Sequence, residues 1–259
     1  SCVSWSHNNT AHLASSDYDG AVTVLDTFTG KPVIAYVEHE CRVWTVDYAP
    51  LGMQYLASGS DDAKVKIWST NQRRSTLTIS SLANVCTVRF NPYDSNHIVF
   101  GSADHNAWYY DLRYPSRELF KCSDHRKAIS CVRYVDSNHF VTASTDGTLR
   151  MWNHKETGQC VRKYEGHIND KNFVGLSVSS DGNWLSCGSE DNHIYTYFTP
   201  ITRPAIQTPF AAPSIVTGRE SHSDDPTLFV SAVAWRRTEN VMIAGNSHGV
   251  VKMLELAEG

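Results

Sequence analysis

Two sets of side chains in this sequence have the makings of an acid–base relay. His39, Ser58 and Asp62 form the first, with Trp68 just beyond; His125, Thr142 and Asp146 form the second, with Trp152. An imidazole between a carboxylate and a hydroxyl is the arrangement that activates the nucleophile of a serine hydrolase. A triad is needed once, whereas here the set is written twice, in step with a longer repeat. That recurrence favours a structural hydrogen-bonded network over catalysis. Other chemistry is sparse. There is no Gly-rich phosphate loop, HExxH or nucleophile elbow, and paired carboxylates fall in repeat turns, as at Asp61-Asp62, or in a polar stretch, as at Asp224-Asp225.

The elements that must position these residues are visible as a phrase written six times. LASGSDDAKVKIW ends at Trp68 and VTASTDGTLRMW at Trp152; weaker copies end at Leu25, Tyr110, Tyr197 and Leu254, so the spacings are 43, 42, 42, 45 and 57 residues. Each copy has a small-residue strand, an acidic or polar turn, and an alternating strand closed by an aromatic residue or leucine. A period in the forties with strand alternation is the mark of a WD-type β-propeller blade. The fold class is therefore all-β, with six repeats at approximately 1–37, 38–80, 81–122, 123–165, 166–214 and 215–259. In the second repeat the strands are read as VWTVDY (43–48), YLASGS, KVKIW and STLTIS. Asp19-Gly20 and Asp146-Gly147 supply hairpin turns that need positive φ. In the weaker copies Leu25 and Leu254 replace the tryptophan, Tyr110 and Tyr197 substitute for it, and His248 stands at the turn-aspartate position; His167 opens its repeat as His39 and His125 do.

Bulk properties narrow the function. A net charge of −4 over 259 residues gives no global attraction to nucleic acid or anionic membrane, and no apolar run is long enough to span a bilayer. The pairs Arg73-Arg74 and Arg236-Arg237 read as solvated turns. Seven cysteines without a CxxC pair argue against a disulfide framework or a zinc knuckle, and no metal or cofactor is expected. The chain reads as intracellular. The segment between Tyr197 and Val230 holds five prolines and is expected to be a long connection without continuous strand pairing. Ser1 falls within an inner strand and the sequence stops after the third strand of the sixth repeat, so six blades of a seven-bladed ring are expected here, the N-terminal one lying upstream.

Recognition is better supported than catalysis. Residues entering the inner strands, and those in the turns between second and third strands, ring one mouth of a propeller. Tyr18, Arg42, Trp44, Cys86, Lys127, Lys171 and Phe173 occupy such places. Aromatic groups beside cations suit a peptide with an apolar anchor next to acidic residues. Packing of Trp44 and Phe173 within blades is the alternative, and position alone leaves both open.

Several segments are more specific than the repeat requires. SSDYDG (15–20), SGSDDAKVKIW (58–68), ANVC (83–86), GSADH with YYDLR (101–113), GHINDKNFVGL (166–176) and FVSAVAW (229–235) resemble the WD-repeat domain of the constitutive-photomorphogenesis family of RING ubiquitin ligases. The suppressor-of-phytochrome-A proteins carry a closely similar propeller, and this segment does not separate the two. The resemblance implies a substrate receptor that binds acidic peptides carrying a Val-Pro pair, from transcription factors, photoreceptors or pseudokinases, with ubiquitin transfer promoted by a RING domain elsewhere. It places Tyr18, Arg42, Trp44, Cys86, Lys127 and Phe173 in the pocket: Trp44 and Phe173 around the Val-Pro pair, Arg42 and Lys127 toward the acidic residues, Tyr18 toward the peptide backbone. Residence in nucleus and cytoplasm is implied too. Cys41 and Val43 stand where lysine and alanine are usual, and a further peptide-binding lysine would fall upstream of Ser1, so a reduced affinity for acidic peptides is expected. A second implied partner is the β-propeller adaptor of cullin ligases, through the aromatic-Asp-x-Arg signature with Asp111 and Arg113; an internal structural role for that pair is an equal reading. Under the alternative function, the chain is a non-catalytic scaffold assembling such a ligase.

Overall fold

The computed structural model describes residues 2–50, 52, 54–210 and 227–256. Alternating β-branched and aromatic residues form six antiparallel sheets, each running in chain order from an inner strand outward. The first holds β1 (Cys2–Trp5), β2 (His12–Ser16), β3 (Ala21–Asp26) and β4 (Lys31–Val37); the second holds β5 (Val43–Tyr48), β6 (Tyr55–Ser60), β7 (Lys64–Ser69) and β8 (Ser75–Ser80). The third comprises β9 (Val85–Asn91), β10 (Asp94–Ser102), β11 (Ala107–Asp111) and β12 (Phe120–Cys122), and the fourth β13 (Ile129–Tyr134), β14 (His139–Ser144), β15 (Thr148–Asn153) and β16 (Gln159–Glu165). The fifth contains β17 (Leu176–Val178), β18 (Trp184–Gly188), β19 (His193–Phe198) and β20 (Ile206–Pro209); the sixth has three described strands, β21 (Val230–Trp235), β22 (Val241–Asn246) and β23 (Val251–Glu255). The strands read from the second repeat agree with β5 to β8.

The proline-bearing segment after Tyr197 departs from expectation. Ile206–Pro209 pairs with β19 as a fourth strand, and Phe210 behind it is buried. Pro209 is tolerated because it ends an outer strand, where no ladder donor is required of it. Residues 211–226, with Asp224 and Asp225, lie outside the described residues.

By contact density the chain divides into two compact units, Ser1–Thr142 with Trp152–Cys160, and Ala143–Met151 with Val161–Gly259. In the first unit the inner strands are neighbours in chain order, β1 beside β5, β5 beside β9 and β9 beside β13; in the second, β17 lies beside β21. Within each unit the cores lie between consecutive sheets, so the second and third blades are apolar on both faces. Val46, Tyr48, Leu56 and Trp68 pack on Val22, Val24 and Tyr36 of the first blade, while Ala57, Val65, Ile67 and Ile79 pack on Val88, Phe90, Ile98 and Phe100 of the third. This is face-to-face sheet packing, with the period of two assigning neighbouring residues to opposite interfaces. Polar ties join blades as well: Asp47 accepts from the Arg89 guanidinium at 2.7 Å and from the Phe90 N–H at 2.9 Å.

The turns between second and third strands repeat a device. A side-chain carbonyl or carboxylate oxygen accepts the N–H two residues on, at Asp17, Asp62, Asp104, Asp146, Asp191 and Asn246. In the sixth blade Asn246 therefore performs the turn role that the sequence alignment gave to His248. Each turn also contains one left-handed residue: Gly20, Ala63, His105, Gly147, Asn192 or Gly249.

Candidate functional site

The site begins with a fault in a ladder. β5 pairs with β6 as Val43↔Ser60 and then Thr45↔Gly59, so Trp44 is the extra residue of a β-bulge. In the third blade Val85↔Ser102 is followed by Thr87↔Gly101, leaving Cys86 in the same place. A bulge takes its residue out of register and re-aims the side chain. Trp44 and Cys86 are thus turned out of their ladders at equivalent points of adjacent blades.

Tyr18 is brought to Trp44 by its turn. Asp17 Oδ1 accepts the N–H groups of Asp19 and Ala21 at 3.0 and 2.8 Å, and the Asp17 carbonyl accepts the Val43 N–H at 3.0 Å. Gly20 makes this latch possible: its φ is +92°, and a Cβ there would sit 2.7 Å from the His39 carbonyl oxygen. Gly20→Ala should therefore cost about 1–3 kcal/mol, read as a lower urea midpoint at unchanged slope; an unshifted midpoint would show that the latch carries no strain.

With turn and strand so joined, the rings of Tyr18 and Trp44 meet edge to face at 6.2 Å and 80°. The Arg42 guanidinium lies over both, 4.3 Å from the Tyr18 centroid and 4.9 Å from that of Trp44. A cation on two aromatic faces is held by the ring quadrupoles while its outer edge stays open to solvent. Tyr18 is 63% exposed and Arg42 is exposed too. Trp44 is fixed at its polar end: Nε1 donates to Asp61 Oδ1 at 2.6 Å, and the same oxygen accepts from Asn84 Nδ2 at 2.8 Å. Cys86 is buried, its Sγ 3.9 Å from the Asn84 carbonyl, and burial, with Asp61 and Asp104 adding to it, pushes the thiol up to about 12. It is a protonated wall group rather than a nucleophile.

The structure thus joins Tyr18, Arg42 and Trp44, with Cys86 close by through Asn84. Lys127 is exposed on the first unit. Phe173 belongs to the second unit and is partly buried; the segment before it is held by Glu190 Oε1, which accepts the N–H groups of Lys171 and Asn172 at 2.8 and 2.6 Å. Burial works against ionisation of Glu190, but those N–H bonds prevail and hold its carboxyl below the ordinary value. Sequence reasoning passed over Asp61 and Asn84. In sequence Asp61 reads as part of the blade turn beside Asp62, and its bonds to Trp44 and Asn84 are visible only in three dimensions.

The histidine sets are structural. His39 Nδ1 lies 2.8 Å from Asp62 Oδ2 and Nε2 lies 2.7 Å from Ser58 Oγ, which also accepts the Trp68 indole N–H at 2.8 Å. Burial lowers the His39 pKa against the opposing pull of Asp62, so the network assigns a neutral ring donating to Asp62 and accepting from Ser58. The order of atoms is that of a triad, yet Ser58 is wholly buried beneath the indole. No substrate carbonyl can reach it. The fourth blade repeats the pattern, with His125 Nε2 2.6 Å from Thr142 Oγ1 and the Trp152 N–H donating to that hydroxyl at 2.8 Å; Asp146 Oδ1 accepts the Thr148 N–H at 3.0 Å.

The fifth blade departs from this scheme. Cys187 replaces the strand hydroxyl, and His167 Nδ1 instead meets the Tyr197 hydroxyl at 2.9 Å. Burial lowers the His167 pKa to about 4 although Asp146 and Asp191 pull upward. Unfolded, the imidazole binds a proton near pH 6.5, so the unfolded state gains protons first as pH falls. The contribution of neutral His167 is complete above pH 6.5 and declines by roughly 1.4 kcal/mol per unit toward pH 4. Urea titrations across this window should show that slope, and His167→Asn should flatten it; an identical slope in the variant would refute the assignment.

At the end of β11, Arg113 Nε and Nη2 fork onto Asp111 at 3.0 and 2.7 Å, and the Arg113 N–H donates to Asp111 Oδ1 at 2.9 Å. The hydrogen bonds and charge of Arg113 hold the Asp111 carboxyl below its usual range. Asp111 is buried, while the Arg113 side chain is 56% exposed. Among the described residues, no group of three or more His, Cys, Asp or Glu side chains converges as a metal site requires.

Four-stranded antiparallel blades, interblade cores and recurring His–Ser/Thr–Trp networks define a WD-repeat β-propeller domain. Residues 6–207 match the family model described as Nucleolar protein 10-like, N-terminal domain, a β-propeller family. The chain is 45% identical over 257 residues to the E3 ubiquitin-protein ligase COP1 of Arabidopsis thaliana, covering 99% of this chain and 37% of the relative. It is 43% identical to the Protein SUPPRESSOR OF PHYA-105 1 of the same plant, covering 99% of this chain and 25% of the relative, and 35% identical to WD repeat-containing protein RUP2, covering 93% and 67%. The chain belongs to this β-propeller family, and over nearly its whole length it matches the COP1 and SPA proteins. It spans between a quarter and two fifths of the length of the COP1 and SPA relatives it matches.

Proposed function

We propose that this domain is the substrate-recognition element of an E3 ubiquitin ligase, capturing an acidic peptide segment that carries a Val-Pro pair. The observation that carries the reading is the exposed group of Tyr18, Arg42 and Trp44, in which a cation rests on two aromatic rings. Proline is already restricted in φ and loses little entropy on docking, so an indole face is an efficient partner for it. Arg42 meets the acidic residues upstream, Lys127 is assigned to the same charges, and Phe173 to the Val-Pro pair. The role of the chain is binding, in nucleus and cytoplasm, with ubiquitin transfer left to other parts of the ligase.

Fluorescence anisotropy of a labelled acidic Val-Pro peptide tests this. Saturable binding is expected, lost when Val-Pro is replaced by Ala-Ala; equal binding of the two peptides would refute it. A second reading, assembly of a cullin-type ligase through its propeller adaptor, is favoured by the exposed Arg113 held on Asp111. It requires Arg113→Ala to disrupt complexes that Trp44→Ala leaves intact.

A further inference from the structure

Asp61 and Asp62 are adjacent carboxylates with different work. Asp62 serves its own blade, accepting from the Lys64 N–H and meeting His39. The side-chain bonds of Asp61 instead leave the turn: one goes to the bulged Trp44 of the inner strand and one to Asn84 of the next blade, both on Oδ1. Its own N–H donates to the carbonyl of Arg42 at 3.0 Å. Asp104, one blade on, makes a contrasting bond: it holds Trp108, four residues away in its own sheet, at 2.9 Å.

We infer that Asp61 is the positioning residue of the rim, fixing the Trp44 indole for ligand capture through Oδ1 and offering Oδ2 as an acceptor to a ligand N–H. The second half rests on the peptide-binding reading; the first does not. A residue at a bulge has no ladder partner to define its side-chain direction, so the charge-assisted bond at the indole nitrogen supplies that definition. The bond from Asn84 to the same oxygen stiffens the carboxylate from the neighbouring blade. Oδ2 accepts no hydrogen bond among the described residues, and Asp61 is partly exposed, so an extended peptide passing Trp44 meets an open acceptor.

The test compares Asp61→Ala with Asp61→Asn, whose carboxamide oxygen still accepts from the indole. In the free protein, the indole N–H resonance of Trp44 is expected to shift and exchange faster with solvent in Asp61→Ala, and to stay near its native position in Asp61→Asn. An unmoved resonance in Asp61→Ala would overturn the inference whether or not any peptide binds. With the acidic Val-Pro peptide, Asp61→Ala should bind about ten-fold or more weakly, and Asp61→Asn, which keeps the acceptor for the indole but sets an NH2 group where Oδ2 stood, should bind at an intermediate level; native affinity in Asp61→Asn would refute the ligand bond at Oδ2. In a Trp44→Phe background, which keeps a ring but removes the N–H, Asp61→Ala should cost clearly less. Equal losses in the two Asp61 variants, or an undiminished loss in that background, would refute action through the indole. Absence of binding by the native domain would refute the peptide reading and leave the resonance result to decide the positioning role.

Discussion

Trp44→Ala is expected to weaken binding of the acidic Val-Pro peptide by about 2–4 kcal/mol, roughly 30- to 1,000-fold. The expectation rests on how the indole is held. Its polar edge is tied to Asp61, its flank meets Tyr18, and Arg42 lies over the ring, so it is presented with little rotamer entropy left to lose. Truncation removes the apolar surface, one wall of the cation–π group, and the donor that keeps Asp61 Oδ1 engaged. Anisotropy titrations should show the loss while the urea midpoint moves little, because Trp44 is only partly buried and stands outside the interblade core. Native affinity in Trp44→Ala would remove the indole from the site.

The second large effect concerns stability. Trp68→Ala should cost about 3–5 kcal/mol of unfolding free energy, a large share of the 5–15 kcal/mol that domains usually possess. Trp68 is wholly buried, stacks on Tyr36 at 4.7 Å and 27°, and donates to Ser58, so the variant opens a cavity between the first two blades and loosens the polar network at once. Ser58→Ala offers a graded control. It leaves the Trp68 N–H and His39 Nε2 without their shared partner, at about 1–3 kcal/mol for each buried group. Urea denaturation followed by circular dichroism measures both, and a Trp68→Ala midpoint equal to the native one would show that the network is dispensable.

The blade was legible because its signal is local. A period of two bounded by the polar Asp61-Asp62 turn placed β5 and β6 on the residues expected, and the recurrence of the His–Ser/Thr–Asp–Trp sets identified them as structural before any distance was known. What stayed hidden depends on register and direction. Nothing in VWTVDY announces that Trp44 is skipped by the ladder, since a bulge is a relation between two strands. Asp61 looked like a duplicate of Asp62 for the same reason. The sequence assigns Arg42 to acidic ligands but does not show that its guanidinium rests on two rings, because that engagement is a matter of three-dimensional neighbours. The strand Ile206–Pro209 was obscured by prolines whose cost depends on edge position, and position in a sheet is not written in composition.

The indole N–H resonances of the seven tryptophans offer the most direct measurement of where a ligand sits. Titration of the domain with the acidic Val-Pro peptide should move the Trp44 signal in a saturable way while the buried signals of Trp68 and Trp152 stay in place. Saturation with the Trp44 signal unmoved would place the peptide elsewhere and contradict the assignment of the Tyr18, Arg42 and Trp44 rim as the recognition site.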